Sequence, residues 1–453
     1  MRFRDAALTL MVTCAAAAPA AAAAQQGDTL VLSLEQAVEI ARRNNPAYRR
    51  AVNNLELNGP ATRAAWAGDV LPSLGFDLST GYRGNLRRQA TDPFGNPVDN
   101  PDAQFLNFSS TRQGVGLTWR LDASILNGVD EIDAANHTRS LGEDVASERL
   151  RIDLRRSWFD ALEQEELLEA ERGIAEASRS DQEATQRLFE LALKTRVDVL
   201  QAELSAEQLR LAVRQQEGRR DQARLALRAL LGQADLPPVR PAPLPVPVFD
   251  PADLDGEALV LRAAEASAGV RQQDAALREA DLAVSSSRRV YWPSLSAGFQ
   301  VGREVQGQKS GSLFSFGGFG DALYSGFQLG LSVPFLSDPF GSRLAVARAE
   351  VQRENQRDAL REARLGAEQA ARSALLALRD QWESLGIADR SVAIAVEALE
   401  LAREEYRLGA RTFEQLQASV KSEADTRRQA IQARYRFADA LLDLEAAVGG
   451  PVR

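Results

Sequence analysis

The chain has 453 residues, of which 45% are apolar and 26% are charged, and its formal net charge is −9 at pH 7. This length allows two or three domains, and the composition is typical of a folded protein rather than a disordered one. The acidic balance argues against nucleic-acid binding, because phosphate groups attract a basic surface.

Residues 1–24 have the pattern of a secretory signal peptide. Arginines precede an apolar run, and three alanines before Gln25 offer a small-residue cleavage site. We therefore expect an exported chain. The only cysteine, Cys14, lies inside this leader. Lipidation of Cys14 would instead make it the first residue of the mature chain, and the sequence leaves that alternative open.

Residues 25–231 are predicted to form a first structural repeat. Apolar residues alternate with polar ones in two stretches that we interpret as β-strands, with turn-forming residues between them. A charged helical pattern, interrupted near residue 190, predicts a long helical hairpin. The predicted elements are a helix at 33–69 with a break near Asn45-Pro46, strands at 72–84 and 108–122, and the hairpin at 128–231.

A proline-rich segment, residues 232–253, separates this repeat from a second one, residues 254–453. The density of prolines predicts an extended, semi-rigid linker. The same order of elements then returns, and the Pro293-Ser-Leu that opens a strand follows the similar Pro72-Ser-Leu by 221 residues. The second set of predicted elements is a helix at 254–290, strands at 293–305 and 324–336, and a hairpin at 342–448.

Each hairpin is predicted to turn within a similar short stretch. Phe189-Glu-Leu-Ala-Leu-Lys-Thr-Arg begins the first stretch, and Tyr406-Arg-Leu-Gly-Ala-Arg-Thr-Phe begins the second, 217 residues later. In the second tip, Gly409 provides a helix stop and Thr412 a helix cap. Thr195 is expected to cap the first tip, where Ala192 occupies the place of the glycine.

The strands favour a transmembrane β-barrel over a soluble sheet. Beyond the leader, no apolar run reaches the length of a transmembrane helix. An exported chain with short alternating strands, short turns at one end and long loops at the other suits an outer-membrane barrel. Because four strands cannot close a barrel, we expect three copies to supply twelve strands around a wet lumen.

The tip sequences resemble those of the TolC-type outer-membrane efflux protein family, and the resemblance covers nearly the whole mature chain. It rests most on Tyr406-Arg-Leu-Gly-Ala-Arg-Thr, which is close to that family's Y-x-x-G-x-R-T signature. The resemblance implies a homotrimer with mixed α and transmembrane β structure. A 12-stranded outer-membrane β-barrel would continue into a 12-helix periplasmic α-barrel.

The family resemblance also implies partners and a gate. The partners would be a periplasmic adaptor (membrane fusion protein) and an inner-membrane transporter of the RND or ABC type, in multidrug efflux or type I secretion. Carried over residue by residue, the periplasmic gate would be Asp198, Tyr406 and Arg411. The family's acidic constriction falls on Gln415 and Ala418, which are not acidic; Glu414 or Asp198 would replace these positions in lining the constriction.

No residue pattern in the chain indicates an enzyme or a cofactor site. His137 is the only histidine, so a Ser-His-Asp arrangement has a single candidate base on a charged helix. We therefore expect a passive exit duct without cofactor or metal, opened at its helical tips by partner proteins. The alternative is a soluble periplasmic coiled-coil adaptor or scaffold. The sequence does not identify the cargo.

Overall fold

The computed structural model is built mostly from α-helix with one larger β-sheet. The predicted leader and Cys14 lie outside the described residues. None of the helices in the described part of the chain is long and apolar enough to cross a membrane. The structure describes residues 30–86, 90–91, 93–94, 96–98, 106–122, 128–233, 237–307, 323–333 and 338–452.

The first repeat contains the predicted strands and hairpin, but its first helix is divided. Asn45 ends one helix and caps the next, with its side chain accepting from the backbone N–H groups of Ala47 and Tyr48. A second break, at Glu56 and Leu57, is not signalled by any proline. The elements are β1 (Leu30–Leu32), α1 (Leu34–Asn44), α2 (Pro46–Leu55), α3 (Asn58–Val70), β2 (Ser73–Leu86), the two-residue strands β3 (Ala90–Thr91) and β4 (Pro97–Val98), β5 (Leu106–Leu121), α4 (Gly128–Glu190) and α5 (Arg196–Leu231).

The second repeat has the same order of helices, strands and hairpin. Its predicted helix at 254–290 is divided at Ser267, which plays the part of Asn45 as a buried residue between two helices. The elements are β6 (Val239–Pro241), α6 (Gly256–Ala266), α7 (Ala268–Arg288), β7 (Ser294–Gly307), β8 (Leu323–Ser332), α8 (Pro339–Arg407) and α9 (Phe413–Val448).

The four longer strands form one antiparallel sheet in the order β2-β5-β7-β8. Their alternation separates two faces, as the sequence predicts. Glycine and polar residues share one face: Gly114, for example, lies opposite both Asp77 and Gly302. The other face exposes large apolar side chains to an unusual degree. Phe76 and Phe327 are each 71% exposed, and Leu74 is 73% exposed.

The linker prediction for residues 232–253 is wrong in part, because this segment joins a small parallel sheet. β6 pairs with β1, and the backbone N–H of Ala242 donates to the carbonyl of Leu32 at 2.8 Å. Val239 is 1% exposed, so the segment also contributes to the core. Proline is tolerated there because an edge strand does not need every N–H group.

Two helical cores hold the repeats together near the middle of the long helices. The larger core packs α1, α4, α5 and α9 around Trp158, whose indole N–H donates to the carbonyl of Ala242 at 3.3 Å. The smaller core packs α6, α8 and α9 around Phe437, which is fully buried. Since α9 contributes to both cores, the second hairpin is fixed to the first within one chain.

Each hairpin returns to the break in the first helix of its repeat. Gly232 ends α5 with φ +74°, and Gly449 ends α9 with φ +75°. A Cβ on Gly232 would lie 2.4 Å from the carbonyl oxygen of Asn44, and one on Gly449 would lie 2.5 Å from that of Ala266. Only glycine satisfies both this conformation and this close approach. The duplication is thus repeated at the level of single contacts.

Candidate functional site

The candidate site lies at the tips of the two long hairpins, where the sequence predicts a gate. Both tips have the same backbone turn. The N–H of Leu193 donates to the carbonyl of Leu188, and the N–H of Ala410 donates to that of Glu405, each at 2.9 Å. The left-handed position is Gly409 in the second tip (φ +76°) and Ala192 in the first (φ +60°). The predicted turn residues therefore lie at equivalent positions.

Both return helices begin with a capping box, as the positions of Thr195 and Thr412 predict. The Thr195 hydroxyl accepts from the backbone N–H of Asp198, and an Asp198 carboxylate oxygen accepts from the N–H of Thr195 at 2.9 Å. In the second tip, Gln415 occupies the position equivalent to Asp198, and its side-chain oxygen accepts from the N–H of Thr412 at 3.0 Å. The N–H of Gln415 donates to the Thr412 hydroxyl. Each box satisfies N–H groups that the first helical turn leaves unpaired.

A small apolar cluster lies directly behind the tips. Tyr406 is 4% exposed and Phe413 is 2% exposed, and their rings meet edge to face with centroids 5.7 Å apart. The other buried members are Ala202, Leu399, Ala402, Leu416 and Val420. Because Ala202 belongs to α5 and the rest to α8 and α9, the cluster packs one hairpin against the other.

Polar contacts cross between the two hairpins beside this cluster. Arg403 of α8 pairs with Asp181 of α4 at 3.1 Å. The hydroxyl oxygens of Tyr406 and the fully buried Thr185 are 3.4 Å apart. The Thr185 hydroxyl also donates to the carbonyl of Asp181 at 2.9 Å, and either hydroxyl can be the donor between Thr185 and Tyr406. Ser205 of α5 donates to Gln417 of α9 at 2.6 Å.

Lys194, which no sequence pattern singled out, makes a direct contact between the tips. Its ammonium group donates to the carbonyl oxygen of Tyr406 at 3.1 Å and lies 3.7 Å from the centroid of the Tyr406 ring. Lys194 stands in the first tip, and Tyr406 stands in the last turn of α8. The residue type of Lys194 is consistent with this contact, because a basic side chain near a helix C-terminus interacts favourably with the carbonyl groups that the last turn leaves unpaired.

The predicted gate residues lie near one another, but their side chains do not bond to one another within the chain. Asp198 is held in its own capping box. Arg411 pairs with Glu405 at 2.8 Å and donates to Ser419 at 3.3 Å, all within the second hairpin. Tyr406 bonds Thr185 instead of Asp198.

Tyr406 nevertheless experiences the charge of the first tip. Burial of its side chain raises the pKa of the Tyr406 hydroxyl, and the carboxylates of Asp198 and Asp181 raise it further, while the Thr185 hydrogen bond acts in the opposite direction. The hydroxyl is therefore held in its neutral, hydrogen-donating form.

The residues proposed for a constriction have different surroundings. Gln415 is committed to the capping box, whereas Glu414 and Ala418 are exposed on α9. No group of three or more histidine, cysteine or acidic side chains is arranged to hold a metal ion in the part of the chain that the structure describes.

Residues 259–450, which cover nearly all of the second repeat, match the family model described as outer membrane efflux protein. The second repeat is therefore similar to the outer membrane efflux protein family, and the resemblance predicted from the sequence is confirmed. This family match also confirms the outer-membrane localisation and the non-enzymatic class of the protein. No curated protein sequence matches the chain.

Solved structures extend the likeness of fold to both repeats. The Campylobacter jejuni CmeC outer membrane channel matches with a TM-score of 0.71 and 15% identity over 92% of this chain and 85% of that one. The open-state Neisseria gonorrhoeae MtrE outer membrane channel matches with a TM-score of 0.66 and 20% identity over 93% and 89%. A membrane protein from Pseudomonas aeruginosa matches with a TM-score of 0.71 and 19% identity over 92% and 90%.

Proposed function

We propose that this protein is the passive outer-membrane exit duct of a tripartite efflux or type I secretion system. The observation that carries the proposal is the four-stranded sheet joined to two long helical hairpins in a chain whose second repeat matches an efflux family. The apolar face of the sheet is exposed in the single chain, as lipid contact requires. Lipid on that face and a wet lumen on the other fit the separation of its side chains.

Three copies are proposed to complete the duct. Four strands from each chain make a twelve-stranded barrel, and four long helical elements from each make a twelve-helix periplasmic cylinder. The exposed apolar positions on the long helices support this assembly, because large apolar patches mark protein contacts. A periplasmic adaptor and an inner-membrane RND or ABC transporter would deliver the cargo and supply the energy.

The periplasmic tips are proposed to close the duct until a partner opens them. Asp198, Tyr406 and Arg411 remain the proposed gate, and we propose that their bonds form between neighbouring copies, because their side chains do not bond to one another within the chain. Within one chain, Arg411 already contacts Glu405, while Asp198 retains carboxylate lone pairs beyond those used in its cap. A charge-assisted pair at an exposed tip is strong enough to hold a closed state and weak enough to be broken by a partner.

Single-channel conductance in planar bilayers tests this function. The purified protein is compared with an Asp198→Ala, Arg411→Ala double variant. We expect small conductance steps from the parent protein and larger steps from the variant. Equal, fully open steps from both would contradict the gate and keep the channel. Folded protein that gives no steps in either form would contradict the channel itself.

A further inference from the structure

The two tips descend from one repeated sequence, but their basic residues make different contacts. Lys194 and Arg411 occupy equivalent positions, 217 residues apart. Arg411 stays within its own hairpin, where it contacts Glu405 and Ser419. Lys194 instead reaches the other hairpin and contacts Tyr406 through both the main-chain carbonyl and the ring. The basic residue of the first tip therefore contacts the second hairpin, whereas the basic residue of the second tip contacts only its own hairpin.

We infer that Lys194 is a latch that fastens the two tips of one chain together and opposes opening of the duct. This inference rests on the proposed channel function. It assigns a role to Lys194, the first-tip counterpart of the signature arginine Arg411, and it places that role within one chain. The proposed Asp198 and Arg411 pair, in contrast, acts between chains.

The surroundings of Lys194 suit a latch for physical reasons. Tyr406 lies in the last turn of α8, a helix of 69 residues, and its carbonyl oxygen accepts from Lys194 as well as from the N–H of Gly409. A positive charge at a helix C-terminus is favoured by the helix dipole and by unpaired carbonyls. The face of the Tyr406 ring adds a cation–π contact.

The receiving residue is itself fixed, so the latch closes on a rigid partner. Tyr406 is buried behind the tips, packs against Phe413 and shares a hydrogen bond with the buried Thr185 of α4. Lys194, by comparison, stands in the five-residue segment between α4 and α5, outside both helices. Opening the tips must move Lys194 away from Tyr406 and exchange both contacts for water.

The Lys194 latch differs from an ion pair in the solution conditions that weaken it. Neither a carbonyl oxygen nor a tyrosine ring carries a formal charge, so neither contact depends on an ionised acid. Salt screens an exposed pair of opposite charges strongly, and it acts less on a contact between a cation and partly buried neutral groups. The latch is therefore expected to persist in conditions that weaken the Asp198 and Arg411 pair.

The test is bilayer conductance of the full-length protein with Lys194→Met, which removes the charge and keeps the aliphatic stem. Lys194→Arg keeps a cation that can contact the Tyr406 ring and carbonyl. Arg196→Met removes one charge from an exposed residue on the same tip and is the matched control. Thermal unfolding and oligomeric state are measured for each variant, so that an unfolded variant is recognised.

We expect Lys194→Met to raise the ratio of open to closed time on the order of tenfold, from the loss of a cation–π contact and a charge-assisted hydrogen bond. Lys194→Arg should recover most of the closed time, and Arg196→Met should behave like the parent. The increase should persist in both low and high salt.

Parent-like closure of a folded Lys194→Met variant would overturn the latch while leaving the channel in place. An equal increase from Arg196→Met would also overturn it, since the effect would then be one of tip charge alone. If neither the parent nor the Asp198→Ala, Arg411→Ala variant conducts, the proposed function fails, and the latch inference fails with it.

Discussion

At the scale of single residues, Ala192 is the most strained position of the candidate site. It is the only residue other than glycine with a positive φ in the part of the chain that the structure describes. A Cβ in this conformation costs about 1–2 kcal/mol, whereas glycine adopts it freely. The equivalent position in the second tip is Gly409, so the chain itself supplies the relaxed form of the same turn.

We therefore predict that Ala192→Gly stabilises the first tip. The relieved strain exceeds the roughly 0.4–1 kcal/mol of added unfolded-chain entropy, so a net gain of about 0.5–1 kcal/mol in local stability is expected. Hydrogen–deuterium exchange of peptides covering each tip, measured by mass spectrometry, tests this gain in local stability. We expect slower exchange at the first tip. Gly409→Ala is the matched reverse change and should speed exchange at the second. Faster exchange in Ala192→Gly would contradict the strain assigned here.

The residues of this site differ in how far the sequence revealed them. Thr195 and Thr412 could be predicted because a cap depends on neighbours only three residues away. The contact of Lys194 with Tyr406 joins positions 212 residues apart, and local spacing carries no trace of it. The family signature directed attention to Asp198 and Arg411, whose contacts in one chain are local to their own hairpins.

At the scale of elements, α4 and α9 form a seam rich in charge. Arginine–carboxylate pairs cross this seam: Arg155 with Glu445, Arg156 with Asp443, Arg434 with Glu166, and Arg428 with Glu171. Glu163 of α4 differs from these paired acids because its pKa is raised. Burial, followed by the nearby carboxylates of Asp160 and Asp439, raises the pKa of Glu163 to about 7, and the guanidinium of Arg436 offsets this only in part.

A raised pKa makes the seam sensitive to pH. The folded chain favours protonated Glu163, so the free energy of unfolding should fall as pH rises from about 4.5 towards 7, and the full penalty should apply above 7. Glu163→Gln removes this penalty. The variant should have a higher Tm than the parent at pH 8, and the two values should approach each other at pH 5. Glu169→Gln, an exposed change on the same helix, is the control; equal pH dependence in all three proteins would contradict the assignment.

The helical elements also show why periodicity alone does not specify which face is buried within the chain. Small apolar residues recur along α8 at spacings of three and four, yet Ala370 and Ala377 are exposed in the single chain, while Ala371 and Leu378 are buried. Alanine gives a weak hydrophobic signal, and a helix that contacts neighbours on more than one side has more than one apolar stripe. The two faces of each strand were easier to predict from the sequence, because an alternation of period two specifies both faces at once.

At the scale of the whole molecule, two apolar stripes run along the long helices without a partner in the chain. Their members recur mostly every seven residues, the spacing of a coiled-coil seam, and the part of the α8 stripe farthest from the tip has an eleven-residue spacing. All of them are at least half exposed. The α5 stripe is Val197, Leu204, Leu211 and Leu225, and the α8 stripe is Leu365, Leu376, Ile387, Ile394, Leu401 and Leu408.

The change of spacing has a consequence for the shape of the assembly. A seven-residue repeat produces a left-handed supercoil, whereas an eleven-residue repeat produces a right-handed one. The α8 stripe changes from the second to the first at Ile387. In the proposed assembly, helices of neighbouring copies are thus expected to coil around each other near the tips and to run with the opposite, weaker twist farther away.

The stripes predict that a single charge in α8 prevents assembly. Ile394 is 69% exposed in the single chain, and burying a glutamate at this position against another copy would cost several kcal/mol. We expect Ile394→Glu to yield monomers in light scattering after gel filtration, whereas the proposed duct predicts trimers from the parent. Ala393→Glu adds the same charge at an exposed position about 100° around the helix and should leave the trimer intact. Trimers of normal stability from Ile394→Glu would show that the α8 stripe faces lumen or solvent, and the three-copy arrangement would then need another interface.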